Sequence, residues 1–176
     1  MRGILLKWEL AGIPVIFFTG AAFHFIFELS GGWTWVGAIA PVNESVFEHL
    51  KMTFWPTLIY AAISYNFVRH SANNFITGKA AALLVMPLAI IALFYVYTEL
   101  TGWENVFIDI LIFLAAVAGG QIVSYKILKA RPLPAWLTVL SILVIIALGA
   151  LYIIFTFYPP QVDFFMDTTT GKYGIP

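Results

Sequence analysis

Two histidines and three of the four glutamates within the first fifty residues fall in a pattern suited to metal chemistry. His24 and Glu28 stand four residues apart in Phe23-His-Phe-Ile-Phe-Glu28. Glu44, Glu48 and His49 follow in Pro41-Val-Asn-Glu-Ser-Val-Phe-Glu-His-Leu-Lys51. Imidazole and carboxylate together suit zinc, iron or manganese. The chain has no cysteine, so any metal must be held by histidine, carboxylate or water. Four residues on a helix place two side chains on one face, about 6 Å apart along the axis. His24, Glu28, Glu44, Glu48 and His49 are therefore the candidate ligands of a divalent metal, with Asn43, Lys51 and Asp109 around them and Asp109 able to orient a histidine.

Three protein ligands would leave a position for bound water. With Glu44 or Glu48 as general base, that water becomes a nucleophile for a lipid or peptide bond. No hydrolase signature accompanies the cluster, and its spacing is not that of His-Glu-x-x-His. Two metal-free readings stand beside these. In one, the groups neutralise each other: Glu28 with Lys51, His24 with a carboxylate, Glu44 and Glu48 capping a helix or facing water. In the other, they line a polar pocket for a small solute or proton in a binding or transport subunit, alone, as a homo-oligomer or with a partner. Pro14, Pro56, Pro87 and Gly119-Gly120 offer broken helices for transport, but Ser64, Asn66, Gln121 and Ser124 are nearly all the polar groups of the other half.

The elements that carry these residues are apolar. Of 176 residues, 61% are hydrophobic and 10% charged, too little polar surface for a water-soluble fold. A helix needs about 20 apolar residues to cross a bilayer. Such runs occur at roughly 9–30, 52–69, 80–100, 104–126 and 134–158, which predicts an all-α bundle of five spans in a single membrane domain with a tail over 159–176. The first run is too long for a signal-peptide core and ends in a glutamate. Nine basic and nine acidic residues give no net charge, and nothing points to nucleic acid.

Lysine and arginine are retained on the cytoplasmic side. Arg2, Lys7, Arg69, Lys79, Lys126, Lys129 and Arg131 fall on one side of the five runs, and only Lys51 and Lys172 on the other. The N-terminus is thus expected inside and the C-terminus outside, in the inner membrane of a cell. All acids but Glu9 then lie toward the outer side, with His24 and His49, while His70 lies in an inner loop. Glu99, Glu104, Asp163 and Asp167 read as solvated. Ala115-Gly119 and Ala116-Gly120 give the fourth span a close-packing face.

Ser45 and Glu48 have the spacing of a capping box, and Asn43 is a second possible cap. With Pro56 close behind, the segment reads as a short outer helix that turns into the second span. The tail after Pro159-Pro160 carries Phe164-Phe165-Met166 and is expected to fold back over the cluster. These stretches, with Ala40-Pro-Val-Asn-Glu-Ser-Val-Phe-Glu-His-Leu-Lys51, Tyr158-Pro-Pro and Asp167-Thr-Thr-Thr-Gly-Lys-Tyr-Gly174, resemble a family of uncharacterised small bacterial membrane proteins over nearly the whole chain. The resemblance implies a five-span membrane fold and carries no activity.

Overall fold

The computed structural model describes residues 2–176. Five long helices follow one another: α1 (Arg2–Leu29), α2 (Val46–Val68), α3 (Phe75–Thr101), α4 (Val106–Leu128) and α5 (Ala135–Phe157). Short 3-10 turns lie at Val36–Ala38, between α1 and α2, and at Asp163–Phe165 in the tail. Four of the helices, α1, α3, α4 and α5, are long and apolar enough to cross a membrane. The fifth, α2, opens with Glu48, His49 and Lys51, which dilute its apolar stretch. The exposed surface is rich in Leu, Ile, Val and Phe, including Phe18, Leu88, Leu143 and Ile146, as lipid contact requires. This is a membrane protein.

α1 packs between α2 and α4, α3 joins α2 to α4, and α5 lies against α3 with lighter contact to α2. Close approach depends on small residues. A Cβ on Gly120 would stand 2.5 Å from the Met86 side chain, so the Ala116-Gly120 face is what seats α4 on α3. Ala115 is exposed and a Cβ added at Gly119 would meet nothing within 4 Å, so the other pair expected to pack does not.

One expectation is corrected. No separate outer helix precedes the second span: α2 runs unbroken from Val46 through Pro56. Proline removes the N–H that would have bonded the Met52 carbonyl. α1 closes on that oxygen at Gly20, where an added Cβ would lie 2.5 Å from it, so the freed carbonyl is covered without a break. α1 begins at Arg2, ahead of the apolar run that starts near residue 9, so Lys7 also lies within the helix.

A buried ion pair lies toward the opposite end of the bundle from His24. Lys79 Nζ donates to both oxygens of Glu9 at 2.6 and 2.8 Å, joining α3 to α1. Gln121 Nε2 donates to the Glu9 carbonyl at 3.2 Å and Tyr60 donates its hydroxyl to the Trp8 carbonyl, bringing in α4 and α2. Ile16, Met86 and Val117, all fully buried, form an apolar layer in the neighbouring core cluster, with Tyr60 at its edge.

Candidate metal centre

α1 ends at Leu29 because Gly31 and Gly32 take φ of 75° and 74°, a region that costs glycine nothing, and their amides close back on the Glu28 and Phe27 carbonyls. His24 is thereby left one turn from the helix end, and Glu28 in the last turn. The chain returns through residues 33–45, and α2 begins at Ser45, whose hydroxyl accepts the Glu48 amide at 3.3 Å. Asn43 Oδ1 in turn accepts the Ser45 amide at 2.9 Å.

This start of α2 separates two residues that look alike in the sequence. Glu44 lies before the cap and points outward, about half exposed. Glu48 is turned inward and is 2% exposed. Its Oε2 accepts Lys51 Nζ at 2.6 Å and the Val42 amide at 3.0 Å, and its Oε1 lies 2.9 Å from the Thr156 hydroxyl of α5. Lys51, fully buried, also donates to the Gly37 and Ala40 carbonyls at 2.7 and 3.1 Å. Every donor of its ammonium is thus used, and the pair fixes the loop on either side of Glu44. His49 stands one turn from Ser45, and its Nδ1 lies 2.8 Å from the Ser45 carbonyl.

His24, Glu44 and His49 meet. Their ligand atoms all lie within 4.8 Å of one another. His24 Nε2 is 3.6 Å from Glu44 Oε1, and His49 Nε2 is 3.3 Å from Glu44 Oε2. The two imidazoles stack with centroids 5.2 Å apart at 30°. Because a carbonyl can only accept, His49 Nδ1 carries a proton. A neutral His49 would then turn the Nε2 lone pair onto a carboxylate oxygen, and two acceptors would face each other. The contact needs a positive charge between or upon them, either a proton on Nε2 or a cation. The hydrogen bond from His49 holds the Glu44 carboxyl below its ordinary value, against the smaller opposing effect of burial. His24 Nδ1 is buried with no partner among the described residues.

The remaining candidates lie elsewhere. Glu28 is exposed and is outside the triad, because it extends beyond the packed part of α1. Glu48 is already satisfied by Lys51, Val42 and Thr156, so it is neither a ligand of this triad nor an available base. The pairing of Glu28 with Lys51 does not form. Asp109 accepts the Tyr97 hydroxyl at 2.6 Å between α3 and α4 and orients neither histidine. Asn43 turns its amide to the tail, donating to the Gly174 carbonyl at 2.8 Å. Sequence reasoning missed Thr156 as the partner of Glu48, and no spacing could have signalled it across 108 residues.

The tail folds over this end of the bundle. Phe165 and Phe164 pack on Phe47, with centroids 4.6 and 6.0 Å away. The Thr168 hydroxyl lies 3.4 Å from the Glu44 carbonyl. Asp167, expected to be solvated, is buried and closes its own turn by accepting Thr169 and Thr170, which hold its carboxyl below the ordinary value despite burial. A groove of about 430 Å³ runs beside the triad, lined by His24, Glu44, Glu28 and Asp167 among others.

Compared with known proteins, residues 3–175 match a family described as a family of unknown function, DUF6512. No curated protein and no solved structure matches the chain.

Proposed function

The chain belongs to the DUF6512 family, which brings no activity with it, and we propose from its residues that it is a five-span membrane protein with a divalent-metal site at its outer end. The spans are the five helices, with the N-terminus inside and the C-terminus outside. Lys51 and Lys79 are neutralised within the bundle. Of the seven other basic residues, six lie on the side assigned to the cytoplasm and only Lys172 on the other, which supports that orientation.

The ligands are His24, Glu44 and His49. The observation that carries the reading is the contact of His49 Nε2 and His24 Nε2 with opposite oxygens of one exposed carboxylate. Atoms bound at 2.0–2.1 Å to a tetrahedral ion stand about 3.3 Å apart, close to the 3.3 and 3.6 Å between these partners. Two imidazoles and one carboxylate, with coordination positions left open, suit zinc or iron(II). The Ser45 carbonyl supplies the orienting bond that a ligating imidazole usually makes through its other nitrogen. With Glu48 bound to Lys51, the triad is better suited to holding a cation than to driving hydrolysis by the bases first expected.

Metal analysis of the purified protein by mass spectrometry tests this. One zinc, iron or manganese per chain is expected, lost in His24→Ala and in His49→Ala and retained in Glu48→Gln. Metal-free protein that takes up none of the three on dialysis would leave the triad as a protonated ion pair.

A further inference from the structure

Glu28 lines two adjoining grooves. One is the groove of the triad, which it shares with His24, Phe27, Asn43, Glu44 and Asp167. The other, of about 720 Å³, is formed by Ala22, Phe25, Glu28 and Leu29 on the outward surface of α1. Phe25 and Leu29 are exposed at 55% and 83%, and with Ala22 they follow one another at helical spacing along that surface. The exposed surface of α1 over Ala22, Phe25 and Leu29 therefore meets the polar groove beside the metal site at one shared carboxylate, Glu28.

Charge restricts what can occupy the two together. Three carboxylates line the inner groove, Glu28, Glu44 and Asp167, and no lysine or arginine does. Asp167 is committed to Thr169 and Thr170, and Glu44 to the histidines. The Glu28 carboxylate makes no hydrogen bond or ion pair with the described residues and stands at the end of a transmembrane helix, where bilayer headgroups lie. Without a cation, the groove repels phosphate. With a divalent ion at the triad, it offers an electrophile for phosphate oxygen and, one helical turn away, a free acceptor for an ammonium.

Building on the metal reading, we propose that the two grooves form one binding site for a phospholipid with a primary-amine headgroup. An acyl chain lies along Ala22, Phe25 and Leu29, the ammonium donates to Glu28, and a phosphate oxygen takes an open position on the metal. A quaternary amine has no N–H to donate, and a glycerol headgroup brings no positive charge to set against Glu28. Recognition of the amine is thus assigned to Glu28, and recognition of the phosphate to His24, Glu44 and His49 through their metal.

The test uses zinc-loaded, delipidated full-length protein in detergent, titrated separately with dioleoyl phosphatidylethanolamine, phosphatidylcholine and phosphatidylglycerol and read by native mass spectrometry. The ethanolamine lipid is expected to bind about tenfold more tightly than either other lipid. Glu28→Gln, an exposed change that leaves the fold alone, should reduce that preference to less than about twofold while keeping one zinc per chain. Soluble phosphoethanolamine should bind at least about tenfold more weakly than the lipid, since it has no chain to bury. Equal binding of the three lipids, a preference that survives Glu28→Gln, or soluble headgroup binding as tightly as lipid would each overturn the proposal. Zinc uptake without headgroup preference sinks the lipid site alone, whereas failure to take up zinc sinks the metal reading and the lipid site with it.

Discussion

Replacing Lys51 by methionine tests the scaffold behind the site. Methionine preserves much of the apolar stem and removes the ammonium, which makes three bonds: to Glu48 at 2.6 Å, to the Gly37 carbonyl at 2.7 Å and to the Ala40 carbonyl at 3.1 Å. Removing one member of a buried ion pair costs about 3–5 kcal/mol, because the other charge stays buried without compensation. The two carbonyls add about 1 kcal/mol each where no water reaches them. The low end of these figures gives a total near 5 kcal/mol. At about 2–4 °C per kcal/mol for a chain of this size, the apparent Tm in detergent falls by about 10 °C. The double variant Lys51→Met, Glu48→Gln removes both charges and should recover about half of that loss, since a neutral amide can still meet the Val42 amide and Thr156. Differential scanning fluorimetry of the parent and the two variants is sufficient. A single variant within about 2 °C of the parent, or a double variant less stable than the single, would refute the reasoning.

Other consequences can be read in the same preparations. Lys79→Met strands Glu9 on α1 and should cost about 3–5 kcal/mol while leaving metal content unchanged, because an apolar layer separates it from the triad; loss of metal in this variant would contradict that separation. Zinc must displace the proton that His49 Nε2 shares with Glu44, so zinc affinity should rise about tenfold per pH unit while that proton is bound and then level off, with a pH-independent affinity in calorimetry counting against His49 as a ligand. Deleting residues 160–176 uncovers Phe47 and frees Asn43 from Gly174, and should weaken zinc binding about tenfold through a looser Glu44 loop; unchanged affinity and Tm would show that the tail is a passenger.

The sequence made the helices legible because each is a long apolar run, and the polar cluster legible because ionisable groups in such a chain are few. His24, Glu44 and His49 were identifiable as residue types and as neighbours of one membrane boundary. Their partition was not. Glu44 and Glu48 look interchangeable at a spacing of four, until capping at Ser45 puts one before the helix and turns the other toward Lys51 and the Val42 amide. Glu28 shares a helical face with His24, but only His24 lies where α1 is still covered by neighbours, since Gly31 and Gly32 end the helix just beyond. Glu9 and Lys79 read as unrelated flanking charges, and a pairing across 70 residues follows from the packing of α1 on its neighbours rather than from any local pattern. Asp109 reads as a neighbour of the cluster, but it accepts the hydroxyl of Tyr97 on the preceding helix, a pairing that no local pattern marks.

The central claim is that His24, Glu44 and His49 hold one metal ion. Anomalous diffraction at the zinc edge, from crystals of zinc-loaded protein, tests it most directly. The account predicts a single strong peak within about 2.2 Å of an imidazole nitrogen of His24, an imidazole nitrogen of His49 and a Glu44 carboxylate oxygen. A peak held by Glu28 or Asp167 without the histidines, or no peak on the chain, would contradict it.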